Sequence, residues 1–233
     1  NSDDNSDDDS DIKSKGDDVF EENTSHWHKP FKSEFEPMEM RCLALVAHNH
    51  MKPAMKEFVA SHKELLKKFR LTGTNTTMTM LRELFGDDPS VQYGPGFCSG
   101  PLGGDAELSA LMCLQDLGGI IFFMDPLSAH PHQADIDSLV RLANVHNIML
   151  CPNPASAHAM CFVLEKALID GRSDLIPSFF FTLQSPGVRV YKADQARAFA
   201  ENSCLHDRSM TDKPRARRTG KEAIMESGYL VNK

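Results

Sequence analysis

The sequence predicts an α/β protein with a single domain, built on a doubly wound parallel sheet and flanked by disordered tails. Two observations lead to this prediction. Short, continuous apolar runs have the length and composition of strands that are buried on both faces. Segments with apolar residues at every third or fourth position separate these runs, and that alternation of strand and amphipathic helix is typical of doubly wound sheets.

The elements follow in order along the chain. Proline opens the first helix at residue 53, in the first turn where the missing N–H is tolerated. Right-handed crossovers would bring the carboxyl ends of the strands to one edge, where sheets of this kind bind ligands. The predicted strands are Cys42–Ala47, 119–124 and 148–151, and the predicted helices are 53–69, 78–85, 135–145 and 155–168.

The charge of the chain is concentrated at its ends. Residues 1–37 hold 12 acidic and 4 basic residues, which accounts for the whole net charge of −8, and residues 38–233 hold 21 of each sign. Such a polar, self-repelling segment cannot bury enough apolar surface to offset the chain entropy lost on folding. We therefore expect an acidic disordered tail over 1–37, whose stretch 27–35 could dock on the domain, a folded domain over 38–207 and a basic flexible tail over 208–233.

Composition also excludes several classes of function. A neutral folded part gives no reason to expect nucleic acid or an acidic membrane surface as a partner. No apolar run approaches the roughly 18–20 residues that a membrane span needs. The six cysteines form no C-x-x-C pair and several lie in apolar runs, so we expect reduced thiols and a cytoplasmic location. The first residue is Asn rather than Met, so we expect a fragment, and a preceding targeting segment stays open.

Polar residues follow the apolar runs, where the predicted fold would place a ligand site. Glycine-containing loops before helices present free backbone N–H groups that favour phosphate, and hydroxyl side chains and a lysine add donors. Carboxylates and histidines that converge on the same edge can transfer protons. The loop residues suited to phosphate are Lys52, Thr72, Gly73, Thr74, Ser99 and Gly100, and the proton-transfer candidates are His48, Asp105, Asp125, His132 and Asp135.

Simpler interpretations of these residues stay open. Asp105 and Asp135 each stand at a helix start, where aspartate is commonly a cap, and Asp125 precedes a proline as a turn residue often does. A metal site is the sharper alternative, because His48-x-His50 and His130-x-His132 could furnish ligands together with Asp105 or Asp125. No H-E-x-x-H motif or cysteine cluster supports that alternative, and we predict neither metal nor cofactor.

Several blocks, taken together and in order, resemble the methylglyoxal synthase family. The resemblance extends over about residues 40 to 178. The matching blocks are Ala-Leu-Val-Ala-His48 with Lys52, Thr72-Gly-Thr74, Ser99-Gly-Pro-Leu-Gly-Gly-Asp105, Phe122-Phe-Met-Asp125-Pro-Leu with His132 and Asp135, Arg141-Leu-Ala-x-Val-x-Asn-Ile148 and Asn153-x-Ala.

The resemblance implies a metal-independent lyase that converts dihydroxyacetone phosphate to methylglyoxal and inorganic phosphate, in the bypass of glycolysis, and that assembles as a homohexamer. It implies that Asp105 is the catalytic base, Asp135 a supporting aspartate and Asp125 a further active-site aspartate. It implies that His132 orients the substrate. It also implies that the phosphate group is bound by His48, Lys52, Thr72, Gly73, Thr74, Asn75, Ser99 and Gly100.

The chain departs from the family's pattern at the phosphate end. Asn49 stands where the bacterial pattern has aspartate, and Asn75 and Thr76 replace a threonine and a glycine. A phosphate-binding arginine near the family's C-terminus could correspond to Arg189 or Arg197. These departures leave a second function open, a regulatory domain of the same fold that senses phosphate or a metabolite without catalysis.

Overall fold

In a computed structural model, residues 30–211 are described, with side chains to residue 201. The predicted acidic and basic tails therefore lie largely outside the described residues. The strands are β1 (Cys42–Ala47), β2 (Arg70–Thr74), β3 (Gln92–Phe97), β4 (Leu117–Phe123) and β5 (Met149–Cys151), and the helices are α1 (Lys52–Ser61), α2 (Lys63–Leu66), α3 (Asn75–Phe85), α4 (Gly104–Cys113), α5 (Gln133–Val145), α6 (Pro154–Asp170) and α7 (Pro186–Thr211). Short 3-10 turns cover Pro37–Glu39, Asn49–Met51, Gly100–Leu102, Ser173–Leu175 and Pro177–Phe179.

All five strands pair in parallel, in the order β3-β2-β1-β4-β5. The chain first builds outward from β1 through β2 to β3, and then returns to the other side of β1 with β4. The predicted doubly wound parallel sheet is therefore confirmed. The crevice between the carboxyl ends of β1 and β4 is the point at which strand order reverses, where such folds bind ligands.

Helices cover both faces of this sheet. Alternate residues of β1 enter two separate cores, Leu43 and Leu45 on one face and Ala44 and Val46 on the other. The first core also contains residues of α1, α2, α3 and α6, and the second contains residues of α4 and α5. Burial on both faces explains why β1 and β4 are continuous apolar runs in the sequence.

Two strands lie where the sequence predicted only loops. β2 carries Thr72, Gly73 and Thr74, and a Cβ at Gly73 would lie 2.2 Å from the carbonyl oxygen of Leu45 on the neighbouring strand. β3 contains Gly94-Pro95-Gly96, which conceals the strand pattern, and as an edge strand it tolerates proline.

Near the start of the described chain, residues of the segment predicted as a tail contact the domain. Phe31 and Phe35 pack against the first core, and the Glu34 N–H donates to the carbonyl oxygen of Leu168 at 2.9 Å, although both features precede residue 38. Residues 186–211 form α7, which belongs to a unit separate from the preceding residues. Among the described helices, none is both long enough and apolar enough to cross a membrane.

Candidate active site

A cavity of about 450 Å³ lies at the carboxyl ends of β1 and β4. Its walls come from the segments that follow these two strands, from the start of α3 and from the turn before α4. The lining residues are Val46, Ala47, His48, Asn49, His50, Lys52, Thr74, Thr76, Ser99, Gly100, Pro101, Asp105, Phe122, Asp125, Ser128, His130, Pro131 and His132.

Asp105 and His132 form a buried pair at one side of this cavity. Asp105 Oδ2 lies 2.7 Å from His132 Nδ1, and the Asp105 residue is only 1% exposed. Its second oxygen, Oδ1, is buried and meets no hydrogen-bond partner among the described residues. Burial raises the pKa of the Asp105 carboxyl, and the hydrogen bond from His132 opposes that rise. A desolvated carboxylate with one uncommitted oxygen is suited to accept a proton.

The turn before α4 leaves room for this pair because it contains Gly100. A Cβ at Gly100 would lie 2.7 Å from His132 Cε1 and 3.1 Å from Asp105 Oδ2. Asp105 itself lies in the first turn of α4, and it makes no side-chain cap. The glycine of the Ser-Gly-Pro turn therefore keeps the Asp105–His132 contact free of steric obstruction.

His48 has a fixed tautomer. The backbone N–H of Asp125 donates to His48 Nδ1 at 2.9 Å, so in the neutral ring the proton resides on Nε2. Burial lowers the pKa of His48 to about 4, and the neighbouring His130 and His132 contribute to this lowering. The ring is therefore a neutral hydrogen-bond donor near pH 7.

Asp125 organises the loop that follows β4. Its carboxylate accepts hydrogen bonds from His50 Nδ1 at 2.9 Å, from the Leu127 N–H at 3.0 Å and from the Ser128 hydroxyl. These bonds hold the pKa of Asp125 well below its usual range, and the bond from Ser128 makes the largest contribution to that lowering. Because both of its oxygens are committed, Asp125 lines the cavity as a fixed anion that holds the loop, rather than as a group that exchanges protons.

The cavity lining also includes the donors suited to an anion. Lys52 Nζ donates to Asn49 Oδ1 at 2.8 Å, so within residues 30–201 a neutral amide rather than a carboxylate holds this ammonium group. Thr74, Thr76 and Ser99 add hydroxyls to the lining, and α3 begins directly after Thr74. Hydroxyl donors, a lysine and a helix N-terminus together form a favourable environment for phosphate.

Four candidates from the sequence do not line the cavity. Thr72 is buried, and its hydroxyl donates to the carbonyl oxygen of Pro95. Gly73 lies against β1, and Asn75 starts α3 with an exposed side chain. Asp135 is exposed in the first turn of α5, although its charge contributes to the raised pKa of Asp105.

Other lining residues were missed as candidates for substrate contact. Thr76 was noted only as a departure from the family's pattern, and Ser128 was not singled out at all. His50 and His130 entered only as possible metal ligands. Their H-x-H spacing was the available signal, and His50 reaches the cavity wall from the turn after β1 while His130 reaches it from the loop after β4.

Three histidines approach the spacing of a metal site. Ligand nitrogens of His48, His130 and His132 all lie within 4.8 Å of one another. A metal needs a lone pair on the ligating nitrogen, and the only lone pair of neutral His48 already accepts the Asp125 N–H. The remaining two histidines are fewer than the three protein ligands of a usual zinc site, so the cluster suits proton transfer better than metal binding.

Several known proteins are similar in sequence to about half of this chain. No family model matches the chain. Methylglyoxal synthases of Bacillus thuringiensis (strain Al Hakam) and Bacillus cereus (strain AH820) are each 38% identical to it over 130 residues, which is 56% of this chain and 95% of the relative. A crystal structure of methylglyoxal synthase from Elizabethkingia anophelis NUHP1 matches with 34% identity and a TM-score of 0.46, covering 53% of this chain and 78% of that one.

Proposed function

The chain belongs to the methylglyoxal synthase family, and on this premise we propose that it eliminates phosphate from dihydroxyacetone phosphate to give methylglyoxal and inorganic phosphate. The observation that carries the proposal is the buried Asp105–His132 pair, with Asp105 Oδ1 uncommitted. A carboxylate in this state is the group that removal of a proton beside a ketone requires.

The proposed reaction begins at Asp105. Its carboxylate takes a proton from the hydroxymethyl carbon, and the electron pair of that C–H bond forms an enediolate. The hydroxyl group of the enediolate then gives up its proton and becomes the aldehyde C=O, and the carbon–carbon double bond shifts to the methylene carbon. The C–O bond to the phosphate group breaks with its electron pair leaving on the phosphate, which takes up that hydroxyl proton. The resulting enolate takes the proton held by Asp105 at its methylene carbon and becomes methylglyoxal.

His132 is a hydrogen-bond donor in this scheme. A ring that donates its Nδ1–H to an ionised Asp105 can also donate from Nε2 when both nitrogens carry a proton. In that state the ring donates to Asp105 and to the developing enediolate oxygen together, and a preorganised donor at that oxygen is a large catalytic term. The neutral Nε2–H of His48 is a second donor for a substrate oxygen.

The other assignments rest on the resemblance together with the cavity lining. We propose that Lys52, Thr74, Thr76, Ser99 and Gly100 bind the phosphate group. On the resemblance alone, we also propose that the chain acts as a hexamer in the cytoplasm and needs no metal or cofactor.

Turnover by the full chain tests this function. We expect release of methylglyoxal and phosphate from dihydroxyacetone phosphate, unchanged by a chelator. Asp105→Asn should lower kcat at least 100-fold, because a positioned base contributes roughly 10²–10⁴. Asp137→Asn, an exposed carboxylate in the same helix as Asp135, is the matched control and should retain full activity. Phosphate binding without turnover would instead establish a regulatory domain, and loss of activity with chelator a metal enzyme.

A further inference from the structure

A third imidazole, that of His130, lies in the cavity without a part in the proposed reaction. Its ring faces that of His48, with ring centroids 3.7 Å apart and planes inclined by 34°. The edge of the Phe122 ring meets His48 as well, at a centroid distance of 5.0 Å and 76°. His48 therefore contacts both rings, of which only that of Phe122 belongs to a strand, and the ring of His132 lies farther away at a centroid distance of 5.9 Å.

The same residue that fixes the tautomer of His48 is also bonded to His130. His130 Nε2 lies 3.3 Å from the carbonyl oxygen of Asp125, while the Asp125 N–H donates to His48 Nδ1. The two backbone groups of Asp125 thus connect both histidines to one peptide segment. Rotation of the His48 ring would break its bond to Asp125 and disrupt its stacking on His130.

We propose that His130 is a positioning residue, which holds the ring of His48 against rotation so that its Nε2–H stays directed to an oxygen of the bound substrate. This inference rests on the proposed function for the identity of the substrate. The claim about ring orientation is independent of it.

The physical basis is the exposed face that removal of His130 would create. His48 is only 9% exposed, and burial is the largest cause of its lowered pKa. Without the stacked ring, water would reach one face of the imidazole, and other ring orientations would become accessible. An aromatic ring of similar shape at residue 130 would preserve the stacking although it cannot bond to Asp125.

The test compares His130→Ala with His130→Phe in the full chain, and His146→Ala, which removes a histidine outside the cavity lining, is the control. We expect His130→Ala to lower kcat about tenfold while KM and the Kd for inorganic phosphate change less than twofold. His130→Phe should recover kcat to within about threefold of the wild type. Full activity of His130→Ala would overturn the proposal, as would equal loss in both variants, since that result indicates a role for the imidazole itself.

A measurement on the ring separates this inference from the proposed function. Nitrogen NMR of histidine-labelled protein, with His48 assigned by its loss in His48→Asn, should show the Nε2–H tautomer in the wild type and in His130→Phe. His130→Ala should show exchange between tautomers. A wild type that has the fixed tautomer yet turns over no dihydroxyacetone phosphate would refute the function and leave the inference standing, whereas an unchanged His48 signal in His130→Ala would refute the inference.

Discussion

Gly100→Ala adds a single methyl group in close contact with the Asp105–His132 pair. The new Cβ would lie 2.7 Å from His132 Cε1 and 3.2 Å from His132 Nδ1. Gly100 carries no positive φ, so the substitution causes no backbone strain and retains the backbone N–H. We expect the methyl group to push His132 away from Asp105 by several tenths of an ångström or more.

The expected effect on catalysis is larger than that on stability. A misplacement of about 1 Å in a reacting group can cost roughly 100-fold in rate, so kcat should fall by about that factor. Overpacking typically costs about 1–3 kcal/mol, which for a domain of this size lowers Tm by roughly 2–10 °C. Most of the protein should therefore be folded at 25 °C, and the lost activity would reflect the position of the pair.

Gly96→Ala is the matched control for this substitution. Gly96 also lacks a positive φ, and a Cβ there would meet only Met78 Cγ at 3.8 Å, an ordinary contact. Kinetics on dihydroxyacetone phosphate and thermal melts of both variants and the wild type would provide the comparison. If Gly100→Ala retains activity within threefold, or if Gly96→Ala loses as much, the spatial argument for the pair is refuted.

Three further predictions concern charge and pH. Asn49→Asp would place a carboxylate beside Lys52, so titration calorimetry should show several-fold weaker binding of inorganic phosphate, and an unchanged Kd would contradict this. Because burial raises the pKa of Asp105, the acid limb of kcat/KM should lie above the ordinary aspartate value of about 4 and be lost in pH profiles of Asp105→Asn. His62 Nε2 and His158 Nδ1 lie 2.7 Å apart, and burial lowers the pKa of His158. A lowered histidine pKa means that folding stability falls as pH drops below about 6.5, so denaturant melts between pH 8 and 5 should show a steeper loss for wild type than for His158→Gln.

Strands could be predicted from the sequence where burial on both faces requires a continuous run of apolar residues. β1 was predicted at Cys42–Ala47 and lies there, because both of its faces are covered by helices. β2 and β3 were missed because their residues do not form apolar runs. Thr72 occupies a buried strand position by donating its hydroxyl to Pro95, and β3 is an edge strand that tolerates its glycines and proline.

A site residue could be predicted from the sequence where it directly follows a strand or a glycine turn, because that neighbour alone places it at the cavity. Asp105 follows a glycine turn, and His48 follows a buried strand, and both reach the cavity. The family resemblance assigns Asp135 as a supporting aspartate, and the residue is exposed in the first turn of α5, outside the cavity lining. His130 was undervalued because its role depends on contacts with Asp125 and His48, which only the folded loop brings together.

The tautomer of His48 is a consequence of the order of the strands. β1 and β4 are neighbours in the sheet although β2 and β3 separate them in the chain, and Ala47 pairs with Phe123. The His48 N–H continues this ladder by donating to the carbonyl oxygen of Phe123 at 3.1 Å. Two residues after Phe123, the N–H of Asp125 donates to Nδ1 of the His48 imidazole. A backbone N–H cannot reverse its role as donor, so the protonation pattern of this ring follows from the reversal of strand order that also creates the cavity.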